Sequence, residues 1–194
     1  SSKGYTIIGQ VSGTNSGIST AKDVGIGSGN LSSLIIAGSK AVSITGGTGA
    51  DTISGGAAGA DFLYGGADDD TFTVKDAAAS TDIITIKDFG LGNDKFAGSF
   101  TGSGVLKVTI DDTSETTLNL SAVLGAAGTA SVTGGAAADV IIGGKSNDKI
   151  DGGAGDDTLT GGSGDDAFTV SVGTDTITDW GVGTDTLSIS YGAT

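Results

Sequence analysis

Aspartates recur at nine-residue intervals in the second half of this chain, and each follows a pair of glycines. From Gly134 to Thr169 the sequence reads GGAAADVII, GGKSNDKID, GGAGDDTLT and GGSGDDAFT, with no insertion between units. Carboxylate and backbone carbonyl oxygens in a flexible loop suit Ca²⁺, whereas Mg²⁺ demands stricter geometry and gives up its water reluctantly. The spacing therefore points to a series of calcium sites.

An earlier block repeats this pattern with one irregularity. It begins at Gly46 with GGTGADTIS, continues with the ten-residue GGAAGADFLY and closes at Thr73 with GGADDDTFT. NLSSLIIAGSKAVSIT precedes this block and NLSAVLGAAGTASVT precedes the second, while TDIITIKDFGLGNDKF and TDTITDWGVGTDTLSI follow the two blocks. The chain thus looks duplicated over roughly residues 30–98 and 119–190. We predict two halves, residues 1–118 and 119–194.

Each unit, GGxGxDxUx with U apolar, combines a turn and a short strand. Glycines at positions one, two and four permit positive φ, so the first six residues can form a tight turn with inward carbonyls. The last three favour a strand with one inward apolar residue. These residues are Ile53, Leu63, Phe72, Ile141, Ile150, Leu159 and Phe168. Because one such residue cannot bury itself alone, the units must stack.

The predicted fold is therefore all-β, a parallel β-roll or β-solenoid with calcium-binding turns. With two units per coil, Asp139 lies under Asp157 and Asp148 under Asp166, both at a separation of 18 residues. Carboxylates stacked in a partly dry turn repel each other unless a cation lies between them.

Composition narrows the function. Formal net charge is -14, all nine cations are lysine, and Glu115 is the single glutamate. This balance argues against nucleic acid or an anionic membrane as a partner, and no apolar run is long enough to span a bilayer. Absence of cysteine and histidine removes disulfides, the usual zinc or copper sites, and Ser-His-Asp or HExxH catalysis. We therefore expect no enzyme activity in this chain, which reads as a fragment or a processed product.

The units resemble the calcium-binding nonapeptides of RTX proteins, which form parallel β-rolls. GGTGADTIS, GGAGDDTLT and GGSGDDAFT match the pattern fully. The resemblance implies side-chain ligands at Asp51, Asp148, Asp157 and Asp166, with Asp61, Asp70 and Asp139 in looser units. It also implies backbone carbonyl ligands at Gly47, Gly49, Gly56, Gly66, Gly135, Gly144, Gly153, Gly155, Gly162 and Gly164. Where Ala137, Ser146 and Asp68 replace the fourth-position glycine, we expect altered turns and weaker sites.

The segments after the blocks resemble those that follow the repeats in many RTX proteins, including serralysin-type metalloproteases and bacterial surface-layer subunits. Two interpretations fit the aspartates in them: a further ion site, or an Asx-turn or capped strand end. These residues are Asp88, Asp94, Asp179 and Asp185. Trp180 is expected in a core or capping role.

Residues 99–118 alternate apolar and polar positions and are expected to form strands that bridge the halves. Asp111 and Asp112 within them fit a solvated turn better than a calcium site.

Three functions remain open. The chain could be the assembly domain of a secreted surface-layer protein, the C-terminal secretion and folding module of an exported hydrolase, or a segment of a calcium-dependent adhesin. In each, several Ca²⁺ ions would fold an otherwise extended acidic chain outside the cell, after export of the type I kind that RTX relatives use. The surface-layer reading adds self-association or lattice neighbours as partners, and cell-surface polysaccharide as another.

Overall fold

The computed structural model describes residues 5–10, 24–25, 31–37, 43–54, 60–75, 83–90, 92–100, 102–110 and 114–190. Within these ranges the chain forms 18 β-strands and no helix. Accordingly, no helix in the described ranges is long and apolar enough to cross a lipid bilayer.

The strands alternate between two walls of a solenoid. The even-numbered strands form one nine-stranded sheet: β2 (Val24–Gly25), β4 (Ser43–Thr48), β6 (Asp61–Ala67), β8 (Ile83–Phe89), β10 (Val105–Ile110), β12 (Thr129–Thr133), β14 (Lys149–Asp151), β16 (Ala167–Val170) and β18 (Thr186–Ile189). The opposite wall has a five-stranded sheet: β1 (Tyr5–Gln10), β3 (Leu31–Ala37), β5 (Thr52–Ser54), β7 (Thr71–Lys75) and β9 (Lys95–Ser99). It continues with a four-stranded sheet: β11 (Thr117–Asn119), β13 (Val140–Ile142), β15 (Thr158–Thr160) and β17 (Thr176–Ile177).

Every strand pair that is described is parallel. Since each strand pairs with the next but one in the chain, two units complete one coil. The predicted parallel β-roll is confirmed.

The register of the coils follows the repeat length. In the second block Val140 pairs with Thr158 and Lys149 with Ala167, both 18 residues apart. In the first block Ile53 pairs with Phe72, 19 residues apart, because the ten-residue unit lies between them. The extra residue is absorbed in the turn, and the inward-facing positions stay aligned.

The core is a narrow column of side chains between the walls. Every residue predicted at the eighth position of a unit is at most 1% exposed: Ile53, Leu63, Phe72, Ile141, Ile150, Leu159 and Phe168. Three phenylalanines thicken the column after the first block, where Phe89 stacks on Phe96 at 5.1 Å between ring centroids and both lie near Phe72.

The segment after the first block joins the two halves. Strand β10 pairs with β8 on one side and β12 on the other, and Phe100 forms a parallel bridge with Leu124. The prediction that residues 99–118 contribute bridging strands is therefore confirmed. Asp111 and Asp112 lie outside the described residues.

Candidate metal centre

The aspartates predicted as ligands are buried in the turns. Each is at most 3% exposed: Asp51, Asp61, Asp70, Asp139, Asp148, Asp157 and Asp166. Burying a carboxylate is costly unless hydrogen bonds or a cation compensate it. The turns therefore have to supply partners for each of these side chains.

One oxygen of these carboxylates ties neighbouring coils together. Oδ1 of Asp157 accepts a 2.8 Å hydrogen bond from the backbone N–H of Asp139, and Oδ1 of Asp166 accepts one of 2.8 Å from Asp148. In the first block, Oδ1 of Asp70 accepts a 2.8 Å bond from the N–H of Asp51. The predicted stacking of Asp139 with Asp157 and of Asp148 with Asp166 is thus present as a carboxylate-to-backbone ladder.

The other oxygen lies over the first glycine of its own unit. A Cβ added at Gly152 would overlap Oδ2 of Asp157, and one at Gly161 would overlap Oδ2 of Asp166. Gly65 has the same relation to Asp70. The first glycine is therefore required because the folded-back carboxylate occupies the space of its missing side chain.

The second and fourth glycines bring successive turns into close contact. In the fully matching units they have positive φ, 83° and 119° at Gly153 and Gly155, and 106° and 126° at Gly162 and Gly164. A side chain at Gly153 would overlap the carbonyl oxygen of Gly135 in the preceding coil. Gly162 has the same relation to the carbonyl of Gly144, and Gly66 to that of Gly47.

Several predicted carbonyl ligands therefore face the next turn. The carbonyls of Gly155 and Gly164 point in the same way towards Gly173 and Gly183. Gly49 lies in the first block with a φ of 105°. Gly56 lies outside the described residues.

The turns divide into two classes according to the second carboxylate oxygen. In the units that begin at Gly134 and Gly143, that oxygen is already hydrogen-bonded within its own turn. Gly135 donates its N–H to Oδ2 of Asp139 at 3.0 Å, and Gly144 donates to Oδ2 of Asp148 at 2.6 Å. We call these the closed turns.

In the open turns the second oxygen keeps its acceptor capacity. Oδ2 of Asp70 and Oδ2 of Asp157 are buried and accept no hydrogen bond. The difference follows the glycine backbone, because φ is positive at Gly66 and Gly153 but not at Gly135 or Gly144. A positive φ turns the second glycine's N–H away from the carboxylate and leaves that oxygen for another partner.

The expected departures at the fourth position are of two kinds. Asp68 takes a φ of 78°, the one positive value at a non-glycine residue in the described part of the chain. It thus reproduces the glycine conformation, which aspartate tolerates better than most residues. Ala137 and Ser146 do not take positive φ, and they lie in the closed turns.

Electrostatics show what the buried carboxylates lack. Burial raises the pKa of Asp70 to about 7, with the charges of Asp94, Asp51 and Asp88 adding to the effect, while the hydrogen bond from Asp51 opposes it. Burial likewise raises the pKa of Asp148 and of Asp157 to about 6. A carboxylate held this way favours either a proton or a nearby cation.

Hard oxygen donors of two kinds are therefore available for Ca²⁺. No three acidic side chains converge as a metal site among the described residues, so carbonyl oxygens would have to complete any coordination shell. The open turns fit this requirement, with buried carboxylate oxygens without hydrogen bonds beside turns whose carbonyls face each other. Calcium accepts such mixed oxygen shells in flexible loops.

The aspartates after each block act as caps in the structure. Both oxygens of Asp88 accept backbone N–H groups, from Gly65 at 2.9 Å and Gly66 at 2.8 Å. Asp179 accepts from Gly161 at 3.1 Å and Gly162 at 2.7 Å. This geometry favours the capping interpretation of these side chains over a further ion site.

Asp94 and Asp185 extend the ladder in the same regions. Oδ1 of Asp94 accepts the N–H of Asp70 at 2.8 Å, and Oδ1 of Asp185 accepts that of Asp166 at 3.0 Å. Their second oxygens accept the N–H groups of Gly90 and Gly181.

Asp175 is a ladder member that sequence reasoning missed. Its Oδ1 accepts the N–H of Asp157 at 3.1 Å, and Gly173 lies over Gly155 with a φ of 136°. The signal was the tetrapeptide GTDT, which occurs at residues 173–176 and again at 183–186. It preserves positions four and six of the unit although the glycine pair is lost.

Comparison with known proteins agrees with this geometry. The model of the RTX calcium-binding nonapeptide repeat matches four copies, at residues 28–58, 56–74 and 133–168. No curated protein sequence matches the chain. Both turn-rich blocks of this β-roll therefore consist of RTX calcium-binding nonapeptide repeats.

Proposed function

We propose that this chain is the calcium-dependent folding and assembly domain of a secreted bacterial surface-layer protein. The observation that carries the proposal is the buried second oxygen of Asp157 and of Asp70, which accepts no hydrogen bond. A folded state with these groups ionised needs a cation in the turns, so folding and calcium binding become one equilibrium.

Net charge makes this coupling strong. A formal charge of -14 on 194 residues favours an extended chain when no cation is bound. Free calcium is scarce in the cytosol and abundant outside, so the chain would remain unfolded for export and fold on arrival. RTX repeat proteins are typically exported, which supports an extracellular location, and the surface-layer role would place the domain at the bacterial cell surface.

The surface-layer role is supported by the duplicated roll and the composition. Two turn blocks on one continuous solenoid give the domain more than one surface for neighbours, and a chain without histidine or cysteine suits a structural part better than a catalytic one. The proposal therefore assigns no reaction to this chain. Its partners would be other copies in a lattice, and cell-surface polysaccharide.

A calcium titration tests the proposal when it is followed by both circular dichroism and light scattering. We expect the β signal to rise with calcium, and particles much larger than one chain to form once the β signal is saturated. Magnesium at the same concentration serves as the control and should produce neither change.

Each other outcome identifies an alternative. Calcium-dependent folding to a stable monomer would favour the secretion and folding module of an exported hydrolase. A folded monomer that associates only when a surface polysaccharide is added would favour an adhesin. A β signal that survives a chelator would remove the calcium-linked folding common to all three.

A further inference from the structure

The last coil of the solenoid presents an apolar surface. Trp180 is 53% exposed, Val182 50%, Leu187 45% and Ile189 58%, and Trp180, Leu187 and Ile189 line a groove of about 420 Å³. One coil earlier, Phe168 is paired with Leu187 in the sheet and is 1% exposed. The apolar positions of β17 and β18 therefore lack the covering coil that the preceding positions have. We call this surface the terminal face.

The internal duplication shows what covers the equivalent surface in the first half. Phe89 in the segment IKDF corresponds to Trp180 in ITDW, and each packs on the phenylalanine that ends its block, with ring centroids 6.2 Å apart in both cases. Phe89 is 3% exposed, because β10 pairs with β8 and places Ile110 opposite it. The corresponding strand β17 ends the four-stranded sheet as described.

The strand that corresponds to β10 lies at the other end of the molecule. Strand β10 pairs with β12, whose sequence SVT corresponds to SIT in β4, and the outer neighbour of β4 is β2. In the described nine-stranded sheet, β2 is the terminal strand. The contact of β8 with β10 within one chain thus has a counterpart between β17 of one chain and β2 of another.

Charge favours the same pairing of ends. Residues 1–50 contain three lysines and one aspartate, whereas residues 150–194 contain eight aspartates and no lysine. Two terminal faces would bring like charges together, while a terminal face and the N-terminal end carry opposite charges.

We infer that the terminal face docks on the N-terminal end of a second copy of this chain, so that coils continue head to tail from one copy to the next. The joint repeats between copies the contact that the two halves make within one copy. Because the two surfaces differ, the contact does not close on itself and generates filaments or extended arrays. The inference deepens the proposed function and rests on it for the calcium-folded state.

The test uses the double variant Leu187→Lys with Ile189→Lys, which places charges on the terminal face at exposed positions. In saturating calcium it should keep the wild-type β signal. Its midpoint concentration for association should rise by roughly 100-fold, because burial of two large apolar side chains is lost at the joint. The matched control is Phe62→Lys, a 42% exposed position in the middle of the nine-stranded sheet. It should associate as the wild type does.

The single tryptophan reports on the joint directly. Trp180 is the one tryptophan of the chain, so its emission should shift to shorter wavelength as wild-type protein is concentrated in calcium. In the double variant that shift should be absent. Sedimentation velocity gives the size of the particles in the same samples.

Mixing distinguishes a head-to-tail joint from a symmetric one. A fluorescently labelled double variant keeps its N-terminal end, so it should enter wild-type particles and shorten them. A symmetric contact between two terminal faces would leave the labelled variant outside and overturn the head-to-tail inference. Unchanged association of the double variant would also overturn it while leaving calcium-dependent assembly in place. If wild-type protein folds in calcium but never associates, the assembly role itself fails.

Discussion

The backbone N–H of Asp139 donates a 2.8 Å hydrogen bond to Oδ1 of Asp157, one coil further along the solenoid. Oδ2 of Asp157 accepts no hydrogen bond, whereas Oδ2 of Asp139 accepts the N–H of Gly135 at 3.0 Å. Two aspartates at the same position of the same motif thus differ in what they can offer a cation. Closed turns should hold calcium more weakly than open turns.

Replacing Asp157 by asparagine should weaken calcium binding by roughly 10- to 100-fold, because a buried ligand loses its charge. Asp139→Asn is the matched change in a closed turn and should weaken binding by less than about tenfold. Isothermal titration calorimetry of both variants at neutral pH measures the difference. Equal losses at the two positions would show that the hydrogen bond from Gly135 does not set calcium affinity.

The stacking of these aspartates could be predicted from the sequence. A strict nine-residue unit with one apolar residue leaves a two-unit coil as the arrangement that buries Ile141 against Leu159, and the strand register then aligns Asp139 with Asp157. The apolar positions were predicted for the same reason, since period and burial are linked in a stacked structure.

The division into open and closed turns could not be predicted in the same way. It depends on the sign of φ at Gly135 and Gly153, and glycine populates both signs with similar ease. Asp68 was uncertain because an aspartate in the left-handed region is uncommon. Asp175 escaped detection because its turn keeps GxD but not the glycine pair that identifies a unit.

The first glycine of a unit should be intolerant of a side chain. In Gly161→Ala the new Cβ would overlap Oδ2 of Asp166, and the carboxylate would have to move. We expect a lower calcium affinity and a lower melting temperature in saturating calcium. Calorimetry and thermal unfolding measure the two effects.

Gly181→Ala is the control for backbone strain alone. Gly181 has a φ of 89° but no atom within 4 Å of the added Cβ. This variant should lose about 1 to 2 kcal/mol of stability from left-handed strain and keep wild-type calcium affinity. A normal calcium affinity in Gly161→Ala would contradict the role assigned to the first glycine.

Acid should stabilise the calcium-free fold. Burial raises the pKa of Asp70 to about 7 and that of Asp157 to about 6, above the ordinary value of 3.8. A carboxyl whose pKa is raised on folding binds its proton more tightly in the folded state, so its stabilising contribution is complete below about pH 4 and disappears as the pH rises through 6 to 7. In chelator, the β signal should therefore increase from pH 7.5 to pH 5.

Calcium should reverse that dependence. Protons compete with the cation for the same oxygens, so in limiting calcium the melting temperature should fall as the pH is lowered from 7.5 to 5. Circular dichroism melts in chelator and in calcium across this range measure both trends. Parallel pH trends in the two conditions would mean that these carboxylates are not the groups that bind calcium.

Asp179 should stabilise the end of the second block without binding an ion. Its two oxygens accept the N–H groups of Gly161 and Gly162, and Asp179→Ala would leave both donors without these bonds. We expect a loss of about 1 to 3 kcal/mol in the free energy of unfolding, with the number of bound calcium ions unchanged. The control, Asp165→Ala, removes an exposed bond from Thr184 and should cost less than about 0.5 kcal/mol. Chemical unfolding and calcium stoichiometry together decide the role, because a ligand at this position would lower the stoichiometry by one ion.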